Sequence, residues 1–434
     1  MNGMDAVVLG NGRSGKAAAE LLRREGWDVR ILDGNDPWPD DSWNLCVTSP
    51  GVPLDHRWQK SAREAGVPVI SELQLGAERY RAMGGRMLAV TGSKGKSSVV
   101  KLVADALDGI PCGNYGTPLC EVVLDARSAP NSPLRYAVVE VSSFQLETTH
   151  LPSDTFEAAA ILNLQEDHLD RHGSVETYHA LKRKLLDFAT VKIVGTDPKT
   201  LGTDPKILGT DPNKAENDFS LFEKSYFDNE ILRDNGLCAV LLLRAVGLDD
   251  KVISSAFARF EPLPHRMQTV GSFGGVTWID DSKATSLAAL VAGVTITASR
   301  FSGSVPKVSG SVPKVRLIAG GLPKGDDPNQ ARDCLAEGVC KVYLIGHCAS
   351  LWEQAWKEAV PCEVCGTLER AVESAIHDAE KGDCILLSPG AASFDQFKSY
   401  GERGNCFSDL ALTWGQTLSG GGESRCEGGT KRNG

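Results

Sequence analysis

The sequence has no long apolar run and no basic leader. Nowhere in its 434 residues do about 18 apolar residues follow one another, as a helix crossing a bilayer requires. The opening segment, MNGMDAVVLGNG, has no basic residue before its short apolar run, whereas a secretory signal peptide begins with a basic segment. We therefore expect no membrane insertion and a cytoplasmic location.

Basic charge is also scarce. Lys and Arg together number 46 against 56 Asp and Glu, so the formal net charge is -10. Proteins that bind a nucleic-acid backbone normally carry a basic surface, so we expect no nucleic-acid partner. An acidic substrate would have to be bound by a few local cations. We expect the chain to act as a monomer.

The chain lacks the two cysteine pairs that a zinc site requires, although it contains 12 cysteines. Most of them lie inside apolar runs, which is typical of reduced core residues. Cys362 and Cys365 form a C-x-x-C motif, but no second pair accompanies it. We expect neither a zinc site nor a redox motif there.

A strand, a glycine turn and a helix are indicated by residues 86–107, RMLAVTGSKGKSSVVKLVADAL. The turn glycines expose backbone N–H groups at a helix N-terminus, where an anion is favoured. Val90 stands where the full Walker A pattern has its first glycine, so an ordinary strand-to-helix turn remains the alternative. We predict an ATP site whose candidate residues are Gly92, Ser93, Lys94, Gly95, Lys96, Ser97 and Ser98.

A second glycine turn, from Gly10 to Gly15, has the G-x-G-x-x-G spacing between a strand-like run and a helical stretch. Asp33 closes the next strand-like run, about 20 positions on, as in the dinucleotide fingerprint. The motif predicts a nucleotide diphosphate on the helix N-terminus, with Asp33 near a ribose or base. The alternatives are a nicotinamide-dependent oxidoreductase, or a turn that binds nothing.

Candidate metal ligands follow two further apolar runs. Glu140 ends the run 136–139 and could bind Mg²⁺, although it could also be a helix cap or a surface acid. His168 lies among acidic residues in the segment NLQEDHLDRH, and we favour a metal role for it. Lys182 lies beside the apolar stripe of a helix expected over 175–189, where spacing alone indicates a surface lysine.

The last third of the chain begins at a hinge, Pro262-Leu263-Pro264. Beyond it, Arg266 and Lys283 are cations that domain closure could bring onto the ATP phosphates, although a salt bridge within the loop is the alternative.

Two sets of repeats carry no predicted function. Three heptads begin at Gly195 (GTDPKTL, GTDPKIL, GTDPNKA), and two SGSVPKV copies occupy 302–315. We expect turns in exposed loops. The residues beyond 419 are expected to form a disordered tail.

Taken in order, these motifs resemble those of the Mur ligases, which build bacterial peptidoglycan precursors. The strings that carry the resemblance are TGSKGKSS, VEVSSFQLE, LNLQEDHLDRH, HR, DDSKAT and LLSPGAASFDQFKSYGERG. The resemblance implies an α/β fold of three domains. These are a Rossmann-like UDP-binding domain (1–85), a central P-loop ATPase-like domain (86–262) and a Rossmann-like amino-acid-binding domain (263–418), followed by the tail 419–434.

The resemblance also implies an activity. An ATP- and Mg²⁺-dependent ligase would join D-glutamate to UDP-N-acetylmuramoyl-L-alanine through an acyl phosphate. Three rivals stay open: a sister ligase that adds another amino acid, an NAD-dependent oxidoreductase, and a non-catalytic nucleotide-binding protein.

Roles for single residues come from the same resemblance. It implies that Lys96 and Ser97 hold phosphates and Mg²⁺, and that Lys182 is carbamylated and binds a second Mg²⁺. The implied metal ligands are Ser97, Glu140, His168 and the carbamate of Lys182. The implied catalytic residues are Lys96, His168, Lys182, Arg266 and Lys283. The further nucleotide contacts are Asn235, Arg266 and Asp281. The implied substrate contacts are Gly12, Arg13, Ser14, Gly15, Asp33, Asn114, Gln145, Lys324, Ser393 and Tyr400. Lys94 and Tyr400 depart from the Asn and Phe of the family pattern.

Overall fold

The chain forms two compact units, Met1–Glu261 and Pro262–Gly434. The computed structural model describes residues 4–39, 42–165, 169–195, 207–209, 218–229, 231–302 and 314–420. Two β-sheets lie in the first unit and one in the second. Helices follow mostly parallel strands in all three, which confirms the predicted α/β class. None of the helices in these described stretches combines the length and apolar character needed to span a bilayer.

The first sheet has four parallel strands in the order β2-β1-β3-β4. Its elements are β1 (Asp5–Leu9), α1 (Arg13–Arg24), β2 (Asp28–Leu32), β3 (Leu45–Thr48), α2 (Arg57–Glu64), β4 (Val69–Ser71) and α3 (Glu72–Ala82). The turn from β1 into α1 is tight, because a Cβ on Gly15 would overlap the carbonyl oxygen of Gly10. Glycine is therefore required at position 15 for the strand and the helix to meet.

The second sheet has six parallel strands in the order β10-β9-β8-β5-β7-β6. Its elements are β5 (Met87–Thr91), α4 (Lys96–Ala106), β6 (Ile110–Gly113), α5 (Leu119–Ser128), β7 (Ala137–Glu140), α6 (Ser143–Leu146), β8 (Phe156–Ile161), α7 (Leu169–His172), α8 (Val175–Arg183), a 3-10 helix (Lys184–Phe188), β9 (Ala189–Val194), β10 (Ile207–Gly209), a second 3-10 helix (Ser220–Phe222), α9 (Arg233–Ala245) and α10 (Asp250–Arg259). Because β5 lies between β7 and β8, the loops that follow these three strands meet at one edge of the sheet.

The two sheets of the first unit share a hydrophobic core, in which α1 and α3 pack against α5. Gly76 of α3 allows this close packing, because a Cβ there would lie 2.9 Å from the backbone of Leu119. The buried carboxylate of Glu72 accepts the backbone N–H of Cys120 over 2.7 Å, in the first turn of α5. Burial raises the pKa of Glu72. The first sheet is thus anchored to the second by packing and by this capping contact.

The third sheet has the order β11-β12-β16-β13-β14-β15, and only its β11–β12 pair is antiparallel. Its elements are β11 (Gln268–Phe273), β12 (Val276–Asp280), α11 (Leu287–Ser302), β13 (Val315–Gly320), a 3-10 helix (Pro328–Ala331), α12 (Arg332–Gly338), β14 (Lys341–Ile345), α13 (Ala349–Trp356), β15 (Cys362–Gly366), α14 (Leu368–Asp378), β16 (Cys384–Leu387) and α15 (Tyr400–Gly420). The rings of Trp278, Phe407 and Trp414 pack in its core. The loops after β12, β16 and β13 lie side by side.

One sequence expectation about a helix is wrong. The single helix expected over 175–189 is an α-helix that ends at Arg183, followed by a 3-10 helix and then by β9. Helix α9 begins at Arg233, so residues 234–236 lie in its first turn. Gly236 suits that helix because a Cβ there would lie 3.1 Å from the ring of Phe222.

The repeats and the tail fall largely outside the described residues. Within the first set of repeats, Ile207–Gly209 forms β10 and pairs in parallel with β9, so the expectation of turns throughout is wrong. Residues 196–206, 210–217 and 303–313 lie outside the described residues, and so does 421–434. Helix α15 continues to Gly420, one residue into the segment expected to begin the disordered tail after 419.

Candidate active site

The loop after β5 turns around the N-terminus of α4. Gly92 and Gly95 have φ angles of +153° and +82°, which glycine adopts readily. The side chain of Lys96 folds back over the loop, and its Nζ donates to the carbonyl oxygens of Gly92 (2.7 Å) and Ser93 (3.0 Å). A helix N-terminus and an ammonium group therefore lie together, which suits a polyphosphate.

Glu140, the last residue of β7, is buried beside this loop. Its two carboxylate oxygens accept from the Ser97 hydroxyl (2.7 Å) and from the Asn114 amide (2.8 Å). The position follows from the sheet, in which Val90 of β5 pairs with Glu140. Glu140 is therefore not a surface acid, which was one of the alternatives that the sequence left open.

Lys182 is only 2% exposed, so the surface position indicated by its spacing is wrong. Its Nζ donates to the carbonyl oxygen of Gly92 over 2.9 Å and lies 4.6 Å from the ring centre of Tyr178. The hydroxyls of Tyr178 and Ser93 are 3.1 Å apart. The face of α8 that carries Tyr178 and Lys182 is thus packed on the phosphate loop, which explains the burial.

The loop is held from its other side by Asn163, which follows β8. The Asn163 side chain accepts the backbone N–H of Lys94 (2.9 Å) and donates to the Lys94 carbonyl (3.0 Å). It also donates to Asn235 of α9 over 3.2 Å. A Cβ on Gly95 would overlap the Asn235 amide, so α9 contacts the loop directly.

The donor set of Ser97 and Glu140 fits Mg²⁺. This ion prefers oxygen ligands and usually takes only one or two from the protein, leaving the other positions to water and phosphate. Among the described residues, no group of three or more His, Cys, Asp or Glu gathers as a metal site. His168, an expected ligand, lies outside the described residues.

Gln145 was expected to contact substrate. It is buried, and its Oε1 accepts the backbone N–H of Ser142 over 2.9 Å, while the Ser142 hydroxyl accepts the N–H of Gln145. This reciprocal capping box starts α6 directly after β7. Gln145 therefore fixes the backbone of the residues that directly follow Glu140.

The expected UDP-binding residues lie at the carboxyl edge of the first sheet. Gly12 is the N-cap of α1, and Ser14 and Gly15 lie in the first turn of that helix. Arg13 points to the second sheet, where it donates to the Gly116 carbonyl (2.9 Å) and pairs with Glu121 (3.3 Å). Asp33 follows β2 and is exposed. The structure thus brings all five residues to the ends of two adjacent strands.

In the second unit, Asp281 lies directly after β12. Its carboxylate accepts the Ser388 hydroxyl (2.9 Å) and the backbone N–H of Met267 (3.2 Å). Burial raises the pKa of Asp281 to about 7, although both hydrogen bonds and the charge of Arg266 lower it in part. Met267 and His265, on either side of Arg266, have φ angles of +49° and +61°, a strained conformation for residues other than glycine.

The remaining expected residues of this unit lie on loops after adjacent strands. Lys283, after β12, places its Nζ 3.9 Å from the ring centre of Tyr400. Lys324, after β13, donates to the Thr285 hydroxyl over 3.3 Å. Ser393, after β16, is buried. Two cations, a hydroxyl and an aromatic ring therefore occupy one end of the sheet.

Sequence reasoning missed several residues of these sites. Tyr178 lies on the apolar stripe of its helix, and only its spacing of four from Lys182 indicates a shared role. Asn163 belongs to no motif that indicates its contacts with the phosphate loop. Arg171 pairs with the buried Glu147 over 2.5 Å and donates to the Val52 carbonyl over 3.2 Å, which joins α7 to the first sheet. No sequence pattern indicates that contact.

Comparisons with known proteins agree with this architecture. A family model described as the Mur ligase middle domain matches residues 90–205, and one described as the Mur ligase, glutamate ligase domain matches residues 265–390. The chain belongs to the Mur ligase family, which confirms the resemblance seen in the sequence.

Two relatives are called UDP-N-acetylmuramoylalanine--D-glutamate ligase. The protein from Dechloromonas aromatica is 31% identical, with 94% of this chain and 98% of that protein covered. The protein from Sphingopyxis alaskensis is 33% identical, with 92% of this chain and 95% of that protein covered. Among solved structures, the MurF ligase from Thermotoga maritima in complex with ADP has a TM-score of 0.56 at 14% identity, with 96% of each chain covered. That likeness supports the fold.

Proposed function

We propose that this protein is an ATP-dependent ligase that adds D-glutamate to UDP-N-acetylmuramoyl-L-alanine in the synthesis of peptidoglycan precursors. The observation that carries the proposal is the phosphate loop, where Lys96 and Lys182 converge on one carbonyl oxygen beside the Ser97–Glu140 pair. The names of the two relatives supply the choice of substrates, and the MurF ligase that shares the fold forms a complex with ADP.

The reaction has two steps. A carboxylate oxygen of the L-alanyl group attacks the γ-phosphorus of ATP, the bond from phosphorus to ADP breaks, and an acyl phosphate forms. The amine of D-glutamate then attacks the acyl carbon, the bond to phosphate breaks, and the amide forms as the amine loses a proton. Positioning and charge stabilisation supply most of the catalysis in such transfers.

Each residue of the loop has a role in the first step. The backbone N–H groups of Gly95 and Lys96, at the start of α4, bind the phosphates, and the Lys96 ammonium stabilises the charge of the transferred group. Ser97 and Glu140 would hold Mg²⁺, together with His168. The ion neutralises phosphate charge when bound. The neutral amine of Lys182 would form an N–C bond to CO₂ and release a proton to solvent, and the oxygens of the resulting carbamate would be able to hold a second Mg²⁺.

The other substrates bind at the ends of the remaining sheets. The domain of residues 1–85 holds the uridine nucleotide on the Gly12–Gly15 turn, with Asp33 near the uridine. The domain of residues 263–418 holds D-glutamate, where Lys324 and Ser393 bind its carboxylates and Tyr400 packs against it. The nucleotide and the acyl phosphate are contacted by Arg266, Asp281 and Lys283. We propose a cytoplasmic monomer with no nucleic-acid partner.

The test is phosphate release by the purified protein with ATP, Mg²⁺ and UDP-N-acetylmuramoyl-L-alanine, with and without D-glutamate. Release should require D-glutamate and should not occur with L-glutamate, L-alanine or other amino acids. Replacing Lys96 by Ala should abolish it, and unimpaired turnover by that variant would contradict the assignment. Release with a different amino acid would identify a sister ligase instead.

A further inference from the structure

Arg403 lies in the first turns of α15 and is 1% exposed. Its Nε donates to the Ser282 hydroxyl over 2.9 Å, and one terminal nitrogen donates to the Ser282 carbonyl over 2.9 Å. Both terminal nitrogens also donate to the carbonyl oxygen of Ala391 over 3.2 Å. The guanidinium therefore joins two separate loops at the carboxyl edge of the third sheet.

One of these two loops carries Ser393, which is assigned to the amino acid, and the other carries the active-site cation Lys283. Ser282 directly precedes Lys283, and Ala391 precedes Ser393 by two residues. The Ser282 hydroxyl donates in turn to the carbonyl oxygen of Tyr400 over 2.8 Å, which ties the start of α15 into the same arrangement. One buried side chain thus fixes the backbone next to a cation, a hydroxyl and an aromatic ring.

A third loop passes close by. A Cβ on Gly321 would lie 3.2 Å from a terminal nitrogen of Arg403, and the same residue has a φ of +136° that glycine accepts. This loop continues to Lys324 three residues later. The guanidinium therefore bonds to the loops after β12 and β16 and lies close to the loop after β13.

The charge of Arg403 is not neutralised directly. Within the described parts of the chain, no carboxylate lies at ion-pair distance from it. The nearby carboxylates of Asp280 and Asp395 bond elsewhere, Asp280 to the His265 ring (2.7 Å) and Asp395 to the backbone N–H of His347 (3.0 Å). Burial lowers the pKa of Arg403 to about 10, so it stays charged at neutral pH. A buried cation with neutral partners is a poor means of stabilising a fold.

We propose that Arg403 is the positioning residue of the amino-acid pocket. It does not touch the substrate. It sets the spacing between Lys324, Ser393 and Tyr400 through the backbones of the loops that carry or adjoin them, and this spacing selects for the two carboxylates of the amino acid. The proposal rests on the function proposed above, because it takes these loops to be the D-glutamate site.

The chain offers a matched control in Arg316. This arginine is also buried in the third sheet, but it lies near the start of β13, at the opposite edge. It pairs with Asp383 over 2.9 Å and donates to the Tyr343 hydroxyl over 3.3 Å. Replacing it should lower stability without altering the pocket.

The experiment compares Arg403→Lys and Arg316→Lys with the wild-type protein in phosphate-release assays, varying each of the three substrates in turn. Lysine keeps the charge but cannot bridge the loops, because it donates from a single nitrogen. For Arg403→Lys, KM for D-glutamate should rise about tenfold, the effect of losing one to two hydrogen bonds. KM for ATP and for the uridine nucleotide should stay within about twofold. Arg316→Lys should lower the unfolding temperature and leave every KM unchanged.

An unchanged KM for D-glutamate in Arg403→Lys, or an equal rise in all three KM values, would overturn the proposal. Should Arg403→Lys fail to fold, Ser282→Ala removes one partner of the guanidinium and decides in its place, with a smaller rise expected in KM for D-glutamate alone. If the wild-type protein uses another amino acid, the D-glutamate assignment fails, and the same comparison with that amino acid still decides the role of Arg403.

Discussion

Lys96 and Lys182 donate hydrogen bonds to the same acceptor, the carbonyl oxygen of Gly92, over 2.7 and 2.9 Å. They reach it from different helices, α4 and α8. Two ammonium groups so close together make the loop strongly attractive to phosphate. A carbamate on Lys182 would replace one of these cations by an anion beside the other. Substitution of Lys182 can therefore distinguish a free lysine from a carbamylated one.

Lys182→Ala should lose nearly all activity, by a factor of about 100 or more, as for removal of a group that stabilises transition-state charge. Added bicarbonate should not help the variant, because no amine remains to form the carbamate. Acetate or another short carboxylic acid should restore part of the rate, because its carboxylate can occupy the vacated space. The measurement is phosphate release over a series of acetate concentrations.

The matched control for Lys182 is Lys184→Ala. Lys184 lies two residues away and donates to the Leu146 carbonyl over 3.1 Å, away from the loop. Its loss should change the rate little, and acetate should have no effect on that variant. Normal activity in Lys182→Ala would count against the carbamate.

Glu140→Gln tests the metal site. The amide keeps the size of the side chain and can still bond Ser97 and Asn114, but it removes the one described carboxylate beside the loop. Mg²⁺ binds neutral amide oxygen more weakly than carboxylate, so the Mg²⁺ concentration for half-maximal activity should rise by about tenfold. It is measured by titrating phosphate release with Mg²⁺. The control is Glu157→Gln, which alters the surface partner of Arg86 and should leave the Mg²⁺ titration unchanged. If both variants reach half-maximal activity at the same Mg²⁺ concentration, Glu140 is not a ligand.

Strands and the phosphate loop were largely predictable from the sequence. The pattern of residues 86–107 predicted a strand followed by a glycine turn, and the structure has β5 and the phosphate loop there. The glycine turn also predicted a helix starting at Lys96. These features depend on local chemistry, namely the burial of short β-type runs and the free N–H groups of a helix N-terminus.

Tertiary contacts explain what the sequence could not predict. Lys182 is buried because α8 packs on a loop 90 residues earlier in the chain, which spacing along one helix does not reveal. The short strand Ile207–Gly209 is stabilised by its pairing with β9. In each case a distant partner outweighs local propensity.

Gly95→Ala tests the shape of the phosphate loop. Gly95 has a φ of +82°, and an added Cβ would overlap the side chain of Asn235. The variant therefore carries both backbone strain and a steric clash, so the loop must move and ATP binding should weaken by about tenfold or more. Isothermal titration with ADP and Mg²⁺ measures the affinity.

The control variant, Gly84→Ala, separates the effect of backbone strain from that of the steric clash with Asn235. Gly84 has a similar φ of +84°, but nothing lies within 4 Å of its added Cβ. Gly84→Ala should lose about 1–2 kcal/mol of stability from the backbone alone and should bind ADP as the wild-type protein does. Equal nucleotide affinities in the two variants would show that Asn235 does not constrain the loop.

Asp281→Asn tests the effect of burial on pH dependence. The pKa of Asp281 rises from 3.8 to about 7 in the folded protein, so the folded state binds a proton that the unfolded state releases. The contribution of this group to the free energy of unfolding is therefore greatest below pH 4, and it falls by at most about 1.4 kcal/mol per pH unit up to pH 7. Above about pH 7 it is constant. Asparagine cannot ionise, so the variant should lack this decline.

The measurement is urea unfolding of the full chain at pH 5.5 and pH 8, followed by the fluorescence of the buried Trp278 and its neighbours in the second unit. The wild-type midpoint should fall between the two pH values by more than the midpoint of Asp281→Asn. Asp249→Asn serves as the control, because Asp249 is an exposed helix cap in the other unit. If wild type and Asp281→Asn lose the same stability between pH 5.5 and pH 8, then Asp281 is ionised throughout that range, and its hydrogen bonds from Ser388 and Met267 outweigh its burial.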